Sequence, residues 1–133
     1  MEKPFGLVMR GIAQKDGKIL VLKRHPKCRT YADLWEFPGG KAEKNEYFDQ
    51  TLIREFKEET NLDISIDGFY EALEDIQPKR TTVQVYMKVN ILDGNVKISD
   101  EHIDYAWKTL DEIKEMNLSR PTLKVLEKKN WTI

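Results

Sequence analysis

A single cysteine, Cys28, stands among 133 residues. No disulfide can close within the chain, so stability has to come from a packed core, for which this length suffices. Sparse cysteine suits a reducing compartment, and a cytoplasmic protein is the expectation. The N-terminal stretch MEKPFGLVMRGIA lacks the long apolar core of a signal peptide, and no apolar run has the length that crosses a bilayer. An excess of either charge is also missing. Lys plus Arg number 22 and Asp plus Glu 23, a formal net charge of -1. That balance offers no general attraction to nucleic acid or to an anionic membrane, and any affinity for phosphate must be built locally. Repeats and low-complexity segments are absent, and a hydrophobic fraction of 40% with 34% charged residues excludes a disordered chain. The expectation is one domain over residues 1–133.

What is present reads as alternating short elements. FGLVMRGIA and KILVLKR are apolar runs rich in β-formers, and the Asp16-Gly17 pair between them signals a hairpin. A long polar connection follows, HPKCRTYADLWEFPGGKAEKNE, broken by Pro26, Pro38 and two glycines. Loops of that length in a compact domain are usually functional. Tyr47 to Thr60 reads as a helix. DISIDGFYEALED and TTVQVYMKVNIL alternate apolar with polar residues and read as strands, with DYAWKTL as a further short one. LDEIKEM and RPTLKVLEKKN read as helices, the second with Ser119 at its N-cap and Pro121 in its first turn. Strands, loop, helix, strands and helices in that order predict an α/β fold with helices packed on a mixed sheet, rather than a doubly wound one.

The first helix carries an unusual charge arrangement. At about 100° per residue, Phe48, Leu52 and Phe56 form one stripe, while Glu55 and Glu59 fall at its edge and Glu58 one step aside. Charged residues normally face away from such a stripe, and Glu55 with Glu59 at i, i+4 repel each other. Arg54 lies beside Glu58, placed to orient a carboxylate through a charge-assisted fork. Three carboxylates in a partly shielded patch must bind protons or share a multivalent cation, and hard oxygen ligands suit Mg²⁺ or Mn²⁺. A solvated acidic face balanced by lysines is the plain alternative.

The surrounding residues decide between them. Gly40, Glu46, Arg54, Glu55, Phe56, Glu58, Glu59 and Leu62 resemble, at matching spacing, the Nudix box, G-x5-E-x7-R-E-U-x-E-E-x-G-U with U apolar. One position departs. The final glycine is Asn61, the usual second choice where a left-handed residue ends a helix. LWEFPGGK, Leu34 to Lys41, resembles the segment preceding the box in MutT-like members. EHIDYAWKTLDEI, Glu101 to Ile113, resembles a late segment in which an acid precedes a tryptophan-bearing strand.

The resemblance implies an α/β/α sandwich around a mixed sheet and hydrolysis of a nucleoside diphosphate linked to a group X. It implies Glu58 and Glu59 as principal Mg²⁺ or Mn²⁺ ligands with the carbonyl of Gly39. Glu55 would be a ligand or the base that deprotonates water, Arg54 would hold the glutamates, and Glu46 would be peripheral. A further base or ligand from a loop is assigned to Glu101, with Asp100 and Asp104 as rivals, or all three are solvated acids. Arg24 is a candidate for phosphate or base contact, and Glu36 and Phe37 for lining the nucleobase pocket, although Phe37 suits a core equally. His25 and His102 could touch phosphate, but satisfied or surface histidines are the simpler reading, and Cys28 reads as an ordinary thiol. Ser119 stands where relatives that remove oxidised guanine nucleotides carry an asparagine, which weighs against that specificity. The leading expectation is a nucleoside triphosphate pyrophosphohydrolase yielding a nucleoside monophosphate and pyrophosphate. An ADP-ribose or nucleotide-sugar pyrophosphatase is second, for which Pro78 is a marker. A non-catalytic nucleotide-binding module is third, disfavoured because all three box acids are present. The expected partner is a nucleotide; no membrane or nucleic-acid partner is expected, and homodimerisation, common in small members, stays open.

Overall fold

The structure is a computed structural model and describes residues 3–133. Its elements run β1 (Phe5–Lys15), β2 (Lys18–Arg24), β3 (Trp35–Glu36), β4 (Gly39–Lys41), α1 (Phe48–Thr60), β5 (Asp63–Ile76), β6 (Thr81–Asp93), β7 (His102–Lys108), α2 (Leu110–Lys114) and α3 (Arg120–Lys128). The strands form a mixed sheet in the order β3-β2-β1-β6-β5, with β4 also pairing β1 and β7 also pairing β2. Among the described residues, β1 and β6 are the strand pair that runs parallel, from Phe5 opposite Thr81 to Ala13 opposite Val89; the other named pairs are antiparallel.

The side-chain alternation of the strands builds two cores, one on each face. Met9 and Ala13 of β1, Leu20 and Leu22 of β2 and Val89 of β6 meet Leu52 and Phe56 of α1. The intervening residues, Ile12, Ile19, Val21 and Tyr86, meet Ile113 of α2 and Val125 and Leu126 of α3. The result is an α/β/α sandwich. It explains why KILVLKR reads as an unbroken apolar run, since β2 is buried on both faces. Each wholly buried side chain of this kind contributes about 1.5–3 kcal/mol.

The predicted hairpin forms, with Asp16 and Gly17 both at positive φ (53° and 76°), as a type I′ turn requires. β2 pairs with β1 only next to that turn, at Gln14 with Ile19 and Lys15 with Lys18. Farther along, β4 takes the place beside β1, with Met9 opposite Gly40 and Arg10 opposite Gly39. The segment expected to be one long loop therefore contains two short strands. Their apolar alternation is too brief to show in the sequence, and tertiary pairing fixes them. The consequence matters for function, because β4 lays the two glycines directly against α1.

The helix α1 ends as expected. Asn61 is left-handed (φ 67°, ψ 10°), its N–H donates to Lys57 O, and its side-chain amide donates to Asn95 O at 3.1 Å. Ser119 does occupy the α3 N-cap, but its hydroxyl pairs with Thr122 Oγ1 at 2.8 Å rather than with a backbone N–H. α2 opens with a capping box, in which Thr109 accepts from Glu112 N and Glu112 accepts from Thr109 N.

Candidate active site

The three helix acids differ sharply in environment. Glu59 is buried, 4% exposed, on the side of α1 that meets the sheet. Its Oε1 accepts the Gly39 N–H at 3.0 Å. Burial pushes its carboxyl well above the usual range; Arg10 opposes this, and Glu36 and Glu101 add to the rise. Glu55 is half shielded, and its carboxyl is also raised, by burial first, against the opposing Arg54. Glu58 lies toward solvent, with 57% of its side chain exposed. The edge of the apolar stripe thus grades from a buried acid to an open one within a single turn.

Gly39 and Gly40 let the acids approach the strand. Gly39 has φ 150°, and a Cβ there would fall 1.9 Å from Met9 O. A Cβ on Gly40 would fall 2.3 Å from the Glu55 carboxylate. Glycine at both positions is therefore required by backbone packing in the first case and by the acid itself in the second.

Arg54 ties the cluster together. It donates to Glu46 through Nε (2.8 Å) and Nη2 (3.1 Å), and through Nη1 to Glu55 (2.9 Å) and Glu58 (3.2 Å). Glu46 also accepts from Thr51 Oγ1 at 2.6 Å, and from Glu43 N. These bonds, from Arg54, Thr51 and the Glu43 N–H in that order, lower its carboxyl to about 2. Glu46 is thus no bystander, as its expected peripheral role implied. It is the fork that fixes Arg54, which in turn holds two of the helix acids.

Across the cleft, Glu101 reaches the same place. A carboxylate oxygen of Glu59, one of Glu101 and a ring nitrogen of His102 lie mutually within 4.8 Å. Asp104 is exposed and accepts from the N–H of Tyr105. Asp100 lines, with Glu101, His25, Lys27 and Cys28, a shallow cavity of about 340 Å³. Cys28 Sγ sits 3.6 Å from Glu101 O.

Glu36 and Phe37 are placed otherwise than a pocket lining requires. Phe37 is fully buried in the α2/α3 core, edge-on to Tyr86 with ring centroids 6.1 Å apart. Strand alternation puts it on the face opposite Glu36, so it is a packing residue. Glu36 is itself buried and is satisfied internally by Arg10 Nη2 (3.4 Å), Arg24 Nη1 (3.0 Å) and His102 Nε2 (2.9 Å). Burial alone would raise its carboxyl, but Arg10, His102 and Arg24 outweigh it and hold it down to about 2. Arg24, besides binding Glu36 and Thr30 O, borders an open cavity of about 610 Å³. Arg29, Thr30, Gln77, Pro78, Lys79 and Arg80 line the rest. Pro78 stands in the turn closed by Gln77 N to Arg80 O, so it is both a turn residue and a cavity wall.

One member of this assembly, Arg10, was not picked out from sequence. Arg10 stands alone among apolar residues in FGLVMRGIA, and an isolated charge inside a buried strand is a sign of an internal partner. His102 is buried and not a surface side chain, and its Nδ1 has no hydrogen-bond partner among the described residues.

These residues fit a divalent cation. A buried carboxylate with a single backbone donor, a second carboxylate beside it and a buried ring nitrogen left unpaired among the described residues together form an electron-rich donor set.

The chain is 30% identical over 120 residues to an 8-oxo-dGTP diphosphatase from Buchnera aphidicola subsp. Schizaphis graminum, covering 90% of this chain and 88% of the relative. It is 31% identical over 121 residues to a CTP pyrophosphohydrolase of Escherichia coli strain K12, covering 90% and 87%. Its fold superimposes on the crystal structure of a MutT protein from Methanosarcina mazei Go1 with a TM-score of 0.88 at 24% identity, covering 98% and 96% of the two chains. The family model described as the NUDIX domain matches residues 6–128. The pattern read from Gly40 to Leu62 and the sandwich that carries it thus agree, and the chain belongs to the NUDIX family.

Proposed function

We propose that this protein is a divalent-cation-dependent nucleoside triphosphate pyrophosphohydrolase, releasing a nucleoside monophosphate and pyrophosphate. The observation that carries the reading is the meeting of Glu59 of α1, which accepts the Gly39 N–H, with Glu101 of a separate loop, while Arg54 holds Glu55 and Glu58 of the same helix. The relatives whose names state nucleotide substrates support it. Glu55, Glu58, Glu59 and Glu101, with the Gly39 carbonyl, would hold Mg²⁺, with Mn²⁺ as the alternative ion. When bound, such an ion polarises phosphoryl oxygens, acidifies water and offsets charge on the leaving phosphate.

The chain's own groups supply the rest. Arg24, Arg29, Lys79 and Arg80 give the open cavity a positive lining with no acid among its walls, suited to a polyphosphate. Arg54 keeps Glu55 and Glu58 in fixed directions. Glu55, with its raised carboxyl, is the acceptor for the proton of the attacking water. One phosphorus–oxygen bond forms to that water and one anhydride bond breaks, with pyrophosphate departing. Glu36 serves by fixing Arg24 rather than by touching the base.

A second reading, an ADP-ribose or nucleotide-sugar pyrophosphatase, is favoured by Pro78 standing in the wall of that cavity. We also propose that residues 1–133 act as one Nudix domain in the cytoplasm. Among the described residues no helix is long and apolar enough to cross a membrane. Incubation with Mg²⁺ and a panel of nucleoside triphosphates, ADP-ribose and dinucleoside polyphosphates separates the readings. Monophosphate plus pyrophosphate supports the first, AMP plus ribose phosphate the second. Tight binding without turnover would mark a binding module.

A further inference from the structure

The Nudix box assigns oxygen ligands, but the site also contains a nitrogen. His102 begins β7 and is 4% exposed, its side chain wholly enclosed. Nε2 lies 2.9 Å from Oε2 of Glu36. That carboxylate also receives Arg24 on the same oxygen and Arg10 on the other, so it acts as an acceptor and Nε2 carries the hydrogen. In the neutral ring the free electron pair is then on Nδ1, which is buried and has no partner among the described residues. Buried polar atoms are nearly always paired, and one left alone calls for a ligand. The ring lies within 4.8 Å of a carboxylate oxygen of both Glu59 and Glu101. A ring whose second nitrogen is held by a carboxylate is also the usual setting of a metal-bound histidine, because that hydrogen bond fixes the tautomer and strengthens the donor.

We propose that His102 is a nitrogen ligand to a divalent cation shared with Glu59 and Glu101, and that Glu36, through Nε2, is the positioning residue that holds the ring for it. This rests on the cation-dependent reading of the site and deepens it. One imidazole among oxygen donors shifts selectivity from Mg²⁺ toward Mn²⁺, Co²⁺ and other transition ions.

The test is electron spin-echo spectroscopy of Mn²⁺ added to the wild-type protein, with and without ¹⁵N-histidine labelling. The chain has two histidines, and His25 borders the neighbouring cavity, so His25→Gln serves as the control. The expected result is a ¹⁴N modulation that converts to a ¹⁵N pattern on labelling and survives in His25→Gln. Isothermal titration of His102→Gln, checked for folding by circular dichroism, should show Mn²⁺ affinity reduced at least about tenfold and Mg²⁺ affinity reduced less. A general loss of packing would weaken both ions alike. Mn²⁺ bound without a histidine nitrogen coupling overturns the ligand assignment and leaves the proposed activity standing. No Mn²⁺ or Mg²⁺ binding at all overturns both. Because the spectrum is taken on the wild type, the result does not depend on the variant folding.

Discussion

The backbone N–H of Gly39 donates to Oε1 of Glu59 over 3.0 Å, joining β4 to the most buried acid of α1. This contact sets the distance between strand and helix, and the two glycines of the strand should respond differently to substitution. At Gly39 an added Cβ meets Met9 O and the Arg10 backbone, which cannot yield. Gly39→Ala should lower stability by roughly 2 kcal/mol or more, by a clash in the class of overpacked cores. At Gly40 the Cβ meets only the Glu55 carboxylate end. Gly40→Ala should keep most of its stability and lose turnover as Glu55 swings aside. Thermal denaturation alongside a turnover assay distinguishes the two.

Glu36 is the shared anchor of two arginines and a histidine. Removing one partner from a buried ionic group leaves the others uncompensated, a loss of about 3–5 kcal/mol. Glu36→Ala should lose stability on that scale in urea denaturation, while Lys57→Ala, whose Asp63 contact is exposed, should change it by less than about 1 kcal/mol.

Glu46 provides a stability signature in acid. Its folded carboxyl is lowered to about 2 by Arg54, Thr51 and the Glu43 N–H. A lowered carboxylate stabilises the fold above its unfolded value, about 4.3, and that stabilisation is lost as pH falls from there toward 2. Carbon-detected NMR titration should find Glu46 still ionised at pH 3 in the native protein. Glu46→Gln should flatten the acid limb of the stability curve between those two values.

Glu59 behaves in the opposite sense. Its carboxyl is raised, so between the unfolded and folded values the metal-free fold keeps a proton that the unfolded chain has released, and stability falls as pH rises through the folded value. A cation needs the carboxylate ionised, so Mg²⁺ binding should release a proton and tighten as pH rises through Glu59's titration. Calorimetry in two buffers of different ionisation enthalpy reads the proton directly.

Much of this was legible in the sequence, and the exceptions share a cause. The 3.6-residue stripe of Phe48, Leu52 and Phe56 was enough to place α1 and to set Glu55 and Glu59 nearer the core than Glu58. The Asp16-Gly17 turn and the two long strands followed from local chemistry. Missed were the features made by distant pairing. β3 and β4 have too few residues to show a period, and they exist because β2 diverges from β1. Phe37 could be core or pocket until its neighbour Tyr86, far along the chain, was in place. Glu36, Arg10 and His102 meet across three different strands, and no spacing in the sequence announces that. Glu46 carried a family position but not its geometry, a bidentate hold on Arg54.

The central claim is that the acids of α1 turn over a nucleotide rather than only forming an acidic surface. The most direct measurement is product analysis of wild type and Glu58→Gln with Mg²⁺ and a panel of normal and oxidised nucleoside triphosphates. Glu58 is chosen because its side chain is 57% exposed, so the fold should survive, with a melting temperature close to wild type. Wild type should yield monophosphate and pyrophosphate, and the variant should be slower by on the order of 10²-fold or more. Equal turnover by the two proteins, or release of orthophosphate alone, would contradict the account.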